Sequence, residues 1–255
     1  MTPNRLVSPA PDKSPASPTS LHEARLEAVL GRLARGGARR IADLGCGRGA
    51  LLDRLPGNTA VTEAVAVDLD AWPLEAIRAR FETDERIKVH TVQGSLMDDR
   101  LQLGPLDSVV LLDVIEHIEP EELSKLEIAV FRAWRPPQVL ITTPNADAND
   151  YLGVPRGRRR HWDHRFEWGR ERFQRWASGV ATRSGYRVEF VEVGWEHPTY
   201  GAATQMAVFS ACPPEGERGL AETEGFEPSV PLTGYDDLAN RCLQPLGHVS
   251  GRRRG

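Results

Sequence analysis

The sequence feature that most constrains the fold is a short apolar segment that runs directly into a glycine-rich turn. Residues 41–44 are mostly apolar, as in a buried strand, and Gly45, Gly47 and Gly49 follow before a helix with leucine spacing. Glycine lets the backbone turn sharply and approach a ligand, while the next helix offers unpaired N–H groups. The segment predicts a parallel α/β domain that binds a nucleotide cofactor. Because Gly45-x-Gly47-x-x-Ala50 also satisfies the dinucleotide fingerprint, the pattern alone does not identify that cofactor.

Acidic and small polar residues at the ends of the first three predicted strands narrow the choice of cofactor. Asp43 precedes the glycines, where a pyrophosphate would repel it and a cationic amino-acid group would not. Asp68 ends the second strand, within reach of two ribose hydroxyls, and Ser95 and Leu96 follow the third, next to an adenine ring. Each could instead be a turn residue at a strand end. Their order along the chain favours S-adenosylmethionine.

Two further clusters of residues carry the side chains that divalent cations prefer. Asp113, Glu116 and His117 lie in DVIEH, and His161 and His164 lie in HWDHRFEW. Carboxylates one helical turn apart, followed by a histidine, can face one cation together with a histidine from a later loop. Mixed oxygen and nitrogen ligands favour Mg²⁺ or Mn²⁺ over structural zinc. The alternative is a helix N-terminus with Asp113 as its cap and exposed acids behind it.

The remaining pattern predicts a mostly parallel sheet that closes with an antiparallel edge hairpin, the class I methyltransferase fold. The two apolar runs at residues 108–114 and 138–145 resemble central parallel strands, and a helix is predicted between them. A later helix should stop at Gly185. The predicted helices cover residues 120–134 and 167–184, and the hairpin strands cover 186–194 and 204–212.

Composition predicts one domain with two loose ends. Residues 1–20 hold five prolines and four serines and are expected to be disordered, residues 21–212 to form the methyltransferase domain, and residues 213–255 to be disordered. A signal peptide and a membrane-length apolar run are both absent from the sequence, so we expect a cytoplasmic protein. Cys46, Cys212 and Cys242 lack a CxxC spacing and are expected to be reduced thiols.

Six motifs, in this order, resemble the Hen1 family of small-RNA methyltransferases: DLGCGRG, GSLMDDRL, DVIEH, ITTPNADAN, HWDHRFEW and GAATQMAVF. The resemblance implies methyl transfer from S-adenosylmethionine to the 2′-hydroxyl of the 3′-terminal nucleotide of RNA, with a divalent metal. The matching metal ligands would be Asp113, Glu116, His117 and His164, with His161 a weaker candidate. Glu116, His117 and His164 would be catalytic, and the general base stays open among the three histidines. The family's first ligand is usually glutamate, one methylene longer than Asp113.

Charge and aromatic residues bear on the partner, which we expect to be an RNA 3′ end and not a membrane. The net charge of −4 argues against general binding of nucleic acids, but arginines flank the histidine motif on both sides. Trp162 could stack on a base, whereas Phe166 and Trp168 are expected in the core. A small-molecule O-methyltransferase and a non-catalytic RNA-end binder remain alternatives. The arginines are Arg156, Arg158, Arg159, Arg160, Arg165, Arg170, Arg172 and Arg175.

Overall fold

Seven strands form one sheet in the order β3-β2-β1-β4-β5-β7-β6 in a computed structural model that describes residues 18–213. β1 to β5 are mutually parallel, and β7 runs antiparallel to both β5 and β6. This topology confirms the predicted class I methyltransferase fold. The strands are β1 Arg40–Leu44, β2 Glu63–Asp68, β3 Lys88–Gln93, β4 Ser108–Leu112, β5 Gln138–Pro144, β6 Tyr186–His197 and β7 Gly201–Ala211.

Helices cover both faces of the sheet because its central strands are apolar on both sides. In β1, Ile41 packs with one face and Ala42 with the other, as successive strand side chains must. α1, α2 and α3 cover the first face, and α4 and α5 the second. The helices are α1 Pro18–Gly36, α2 Ala50–Arg54, α3 Ala71–Phe81, α4 Leu123–Ile128, which continues as a π-helix over Ala129–Trp134, and α5 Arg170–Ser184.

The boundaries of several elements differ from the sequence expectation in ways that shape the site. β4 ends at Leu112, so Asp113 lies in the connection to a 3₁₀ turn at Ile115–His117. α5 begins at Arg170 instead of residue 167, and it ends at Gly185 as expected, with φ of 71°. Residues 161–169 are therefore loop and free to carry functional side chains.

The segments predicted to be disordered lie largely outside the described residues. α1 nevertheless begins at Pro18, inside the segment 1–20, because proline is compatible with the first turn of a helix. Among the described helices, none is long and apolar enough to span a membrane.

The expectation of reduced thiols holds at one of the two described cysteines. Cys46 is a buried free thiol, whereas Cys212 is disulfide-bonded, so the expectation of a reduced thiol is wrong for Cys212. Spacing along the chain does not report which cysteines meet in space. Cys242 lies outside the described residues.

Candidate functional site

The glycine turn is tied to the neighbouring strand and leaves open space above it. The backbone N–H groups of Gly45 and Cys46 both donate to the Val67 carbonyl oxygen, at 2.8 and 3.1 Å. Gly45 has φ of 71°, and a Cβ built there would lie 2.9 Å from a methyl carbon of Val114. Gly47 has φ of 49°, and a Cβ there would meet nothing within 4 Å. Gly45 therefore permits close packing against the DVIEH segment, while Gly47 faces room for a ligand.

The predicted ribose and adenine residues lie together at the ends of β2 and β3. One Asp68 carboxylate oxygen accepts a hydrogen bond from the Gly47 N–H at 2.9 Å, and the other accepts from the Asp70 N–H at 3.0 Å. The Asp68 carbonyl oxygen accepts from the Gly94 N–H, which places Ser95 and Leu96 beside it. Asp68 thus holds the glycine turn in shape and keeps lone pairs for hydroxyl groups.

Asp43 is a buried carboxyl group at the end of β1. Burial, and then repulsion from Asp68, raise the pKa of Asp43 to about 7. Within residues 18–213, no side chain or backbone N–H donates a hydrogen bond to this carboxyl group. A cationic ligand group would favour its ionised form, as expected for the amino-acid end of the cofactor.

Asp113 adopts a backbone conformation that few residue types tolerate. Its φ is 55°, in the left-handed region, where aspartate and asparagine are over-represented. One carboxylate oxygen accepts from the Thr142 hydroxyl at 2.8 Å, and the other forms an ion pair with Arg25 of α1. Both oxygens are therefore already engaged by the protein.

Glu116 is buried with half of its carboxyl group lacking a partner. Oε2 accepts a hydrogen bond from the Thr143 hydroxyl at 3.0 Å, and Oε1 has none. Burial, and then the nearby Asp113 carboxylate, raise the pKa of Glu116 well above its usual value. The Glu116 carbonyl oxygen accepts from the Arg165 N–H at 2.7 Å and so connects the 3₁₀ turn to the histidine loop. An orphaned oxygen of this kind fits a bound cation.

Three histidines meet beside Glu116. The ligand atoms of His117, His161 and His164 lie within 4.8 Å of one another, and the His117 and His164 ring centroids are 4.9 Å apart. Neither Asp113 nor Glu116 belongs to a close group of three ligand residues in the described part of the chain, so the two acids lie outside the histidine cluster. The arrangement brings together two of the predicted ligands and the weaker candidate, with the acids in the adjoining turn.

Hydrogen bonds to carboxylates orient two of these rings. Nδ1 of His117 contacts Asp163 at 3.1 Å, and Nδ1 of His164 contacts Glu167 at 2.5 Å. When these Nδ1 atoms donate, the Nε2 atoms carry free lone pairs, as in metal sites with a supporting carboxylate. Burial and repulsion from His164 hold the pKa of His117 below its usual value despite Asp163, which favours a neutral ring.

His161 differs from the other two histidines because its Nδ1 accepts a hydrogen bond from the Asp163 N–H at 3.2 Å. In the neutral ring the proton then lies on Nε2, so neither nitrogen offers a free lone pair. This geometry suits a hydrogen-bond donor better than a metal ligand.

The chain is similar to known methyltransferases in sequence and in fold. A family model described as a methyltransferase domain matches residues 41–137. The crystal structure of the methyltransferase domain of a bacterial protein, CtHen1, is 32% identical to this chain with a TM-score of 0.67, and the match covers 74% of this chain and 99% of that domain. The chain belongs to the Hen1 family.

Curated relatives agree with membership of the Hen1 family. Proteins named small RNA 2′-O-methyltransferase from Mus musculus and Gallus gallus are 32% and 35% identical over 215 and 204 residues. The matches cover 79% and 74% of this chain, and 53% of each relative. The chain thus spans about half the length of these relatives.

Of the aromatic residues in the HWDHRFEW motif, two lie in the core and Trp162 lies at the surface. Phe166 and Trp168 are buried and stacked on each other, which confirms the core expectation. Trp162 is 86% exposed, and its ring lies 5.4 Å from the His161 ring. Of these three aromatic residues, Trp162 is therefore the one available to a ligand.

The arginine cluster is smaller than its sequence suggests. Arg156, Arg158 and Arg159 are exposed, and none forms an ion pair with the described acidic residues. Arg160 instead turns inward, where it donates to the Asn149 side chain and to the carbonyl oxygens of Asn145 and Ala203. The others are occupied: Arg165 by Glu119 and Asp163, Arg170 by Glu192, Arg175 by Glu171, and Arg172 by the Trp168 ring.

Sequence reasoning did not assign a supporting role to four residues that build the site. Arg25 reaches it from α1, and Asp163, Glu167 and Arg160 hold the histidine loop in place. Burial would raise the pKa of Glu167, but hydrogen bonds from His164, Asn149 and the Arg160 N–H outweigh it and keep the pKa low. The motif letters of HWDHRFEW contain Asp163 and Glu167, which was the signal available; Arg25 had none.

Proposed function

We propose that this chain transfers the methyl group of S-adenosylmethionine to the 2′-hydroxyl of the 3′-terminal nucleotide of RNA, with Mg²⁺ or Mn²⁺ bound at the site. The observation that carries the proposal is the orphaned, buried Glu116 oxygen in the same 3₁₀ turn as His117, whose ring meets that of His164. This cluster adjoins the glycine turn, because Val114 packs against Gly45. The family relationship supplies the reaction class that such a pair of sites would serve.

The cofactor would lie across the glycine turn. Asp43 would pair with the cationic amino group, and Gly47 would let the backbone approach the ligand. Asp68 would accept from the ribose hydroxyls, while Ser95 and Leu96 would contact the adenine. These contacts would fix the methyl group over the edge of the sheet where β4 and β5 end.

Glu116, His117 and His164 would hold the metal, and Asp113 would join them by exchanging its ion pair with Arg25 for the cation. When bound, such a cation supplies acidification of the attacking hydroxyl and orientation of a vicinal diol. Asp163 and Glu167 contact the Nδ1 atoms of the two imidazoles and would leave their Nε2 atoms for the cation. Only an RNA end carries adjacent 2′ and 3′ hydroxyls, so a site for a diol selects termini without reading bases.

The substrate would approach from the histidine loop. The His161 Nε2–H could donate to a substrate oxygen, and the exposed Trp162 ring could stack on the terminal base. Arg156, Arg158 and Arg159 supply positive charge for the phosphates in a chain whose net charge is negative.

The test incubates the full chain with labelled S-adenosylmethionine, Mn²⁺ and three short RNAs that differ only at the 3′ end. We expect methylation of the end with free 2′ and 3′ hydroxyls and none of the 3′-phosphate or 2′-deoxy ends. Equal labelling of all three RNAs would exclude the terminal-diol mechanism.

Metal binding is tested apart from activity by Mn²⁺ titration followed by electron paramagnetic resonance. We expect Glu116→Ala and His164→Ala to lose bound Mn²⁺ while calorimetry still detects cofactor binding. Glu121→Ala is the matched control, since Glu121 is an exposed acid near the same turn. Undiminished Mn²⁺ binding by both site variants would place the metal elsewhere.

A further inference from the structure

A second group of rings, one exposed and three half-buried, lies beyond the histidine loop. The Tyr151 and Trp195 rings are stacked, with centroids 4.7 Å apart and planes 17° from parallel. The His197 ring lies 4.7 Å from Tyr151 and 4.8 Å from Tyr200. We call these four residues the ring platform. Trp195 is 46% exposed, so a large aromatic surface faces solvent there.

A β-bulge turns Trp195 toward solvent. The pairing of β6 with β7 shifts register between Val193 and Glu196, and Gly194 has φ of 89°. Bulges of this kind re-aim a side chain and are frequent next to active sites. β6 is the last strand of the sheet, so a ring projected there has no neighbouring strand to cover it.

The platform shares its anchors with the histidine loop. The Asn145 side-chain amide, at the end of β5, donates to the carbonyl oxygens of Tyr200 and Ala202 at 3.2 and 2.9 Å. Arg160, directly before His161, donates to the carbonyl oxygens of Asn145 and Ala203. The two features therefore form one continuous face at the carboxyl end of β5.

The loop that joins the platform to the histidines carries unpaired positive charge. Arg156, Arg158 and Arg159 lie between Tyr151 and His161, are exposed, and form no ion pair with an acid in the described part of the chain. Glu196 is the opposing charge next to Trp195. Proteins that bind single-stranded nucleic acid combine aromatic rings, on which bases stack, with positive charges that contact the phosphates. This face offers both.

We infer that the ring platform binds a base of single-stranded RNA upstream of the terminal nucleotide, with the three arginines on the intervening phosphates. The inference rests on the proposed function for the direction of the strand, but the contact itself is a binding event separate from catalysis. Stacking accepts every base, so this contact would favour substrates of sufficient length without selecting a sequence.

The experiment measures the affinity of the full chain for fluorescent RNA by anisotropy, without a methyl donor. We expect Trp195→Ala to weaken binding of a twelve-nucleotide single strand by about tenfold, the usual loss for one stacked base. Trp195→Phe should restore most of the affinity, because it keeps a ring. Trp72→Ala is the matched control, as Trp72 is also exposed but follows β2, on the other side of the sheet.

Two RNA substrates locate the contact. The Trp195→Ala loss should disappear with a 3′ dinucleotide, which is too short to reach the platform, and with a long RNA that carries an abasic site at the contacting position. An equal loss with the dinucleotide or the abasic RNA, or no loss with the intact twelve-nucleotide strand, would overturn the inference. A change in oligomeric state on sedimentation without a change in RNA affinity would also overturn it, since the rings would then contact another copy of the chain.

The outcomes distinguish this inference from the proposed function. Terminal methylation by the unaltered chain, with unchanged RNA affinity of Trp195→Ala, would leave the proposed function standing and remove the platform. Loss of RNA affinity in a chain that methylates no terminus would support the platform and remove the terminal reaction.

Discussion

At the scale of single residues, burial determines the protonation of Asp43. Its folded pKa of about 7 lies above the ordinary 3.8, so the folded state binds an extra proton between those values and stability falls as pH rises through them, by roughly 1.4 kcal/mol per pH unit at most. We expect Asp43→Asn to remove this slope in urea unfolding of the cofactor-free protein and to weaken cofactor binding at least tenfold. An unchanged slope would show that Asp43 is ionised in the folded chain.

Binding of the cofactor provides a second measurement on the same residue. If a cationic group pairs with Asp43, the free protein must release a proton on binding, so cofactor affinity should rise from pH 6 to pH 8 and then level off. The Asn variant should show no such rise. Calorimetry in two buffers of different ionisation enthalpy measures the released proton directly.

Asp113 lies where the resemblance to the Hen1 family predicts glutamate, and its backbone conformation favours the shorter side chain. At φ of 55°, glutamate would be strained by about 1–2 kcal/mol, and a longer side chain would lose the contacts to Arg25 and Thr142. We expect Asp113→Glu to lower the free energy of unfolding by that amount and to bring no gain in methylation rate. Asp113→Asn is the control, because asparagine tolerates the same φ while losing the ion pair.

A faster or more stable Asp113→Glu variant would contradict this reading of the turn. It would mean that the ion pair with Arg25 only replaces a carboxylate that the site could use better. Unfolding of the metal-free protein in urea and initial methylation rates separate these two results.

The residue types of the site could be predicted from the sequence more readily than their tautomers or their long-range partners. The acids and histidines of DVIEH and HWDHRFEW stood out because such side chains at helical and loop spacing favour metals. The tautomer of His161 could not be predicted, since it depends on the Asp163 N–H. Arg25 could not be predicted either, because its partner Asp113 is far away in sequence and no local pattern marks a long-range ion pair.

At the scale of elements, two glycines of the glycine turn have different roles. Gly45 permits close packing, and Gly47 leaves space for a ligand. A Cβ at Gly45 would lie 2.9 Å from Val114, whereas one at Gly47 would lie in open space. We expect Gly45→Ala to destabilise the protein by about 2–3 kcal/mol, through strain and the contact together. Gly47→Ala should cost about 1 kcal/mol but weaken cofactor binding strongly. Thermal unfolding and cofactor calorimetry on both variants measure this contrast, and equal effects would contradict it.

Element boundaries show where sequence patterns were insufficient. The predicted helix over 167–184 began three residues too early. Glu167 and Trp168 are an acidic and an apolar residue, as at the start of a helix, but their side chains are buried for another reason. In the structure, Glu167 holds His164 and Trp168 stacks on Phe166. The apolar and acidic residues that suggested a helix are instead the supports of the loop.

At the scale of the whole molecule, the mostly parallel sheet followed from the sequence because central parallel strands are continuous apolar runs. The position of α1 did not follow, although it packs against the first face of the sheet and brings Arg25 to the site. A helix that precedes the first strand can cover several places on a sheet, so only tertiary contacts determine where its polar residues point.

Charge at the same scale argues that RNA binding is local and dependent on salt. The net charge is −4, so attraction to phosphate has to be local, and Arg156, Arg158 and Arg159 place three exposed, unpaired charges on one loop. Each phosphate contact to single-stranded RNA contributes about 0.7 to the slope of log affinity against log salt. Replacement of Arg156, Arg158 and Arg159 by alanine should therefore weaken binding and reduce this slope by about 2.

A control removes similar charge elsewhere on the surface. Arg86 and Arg100 are exposed, but each is paired with an aspartate two residues before it, and both lie far from the histidine loop in the sheet order. Their double alanine variant should bind RNA with nearly the original slope, because the screening length at physiological salt is only about 8 Å. If both variants lose the same slope, RNA responds to the total charge of the chain, and the arginine loop has no special place in binding.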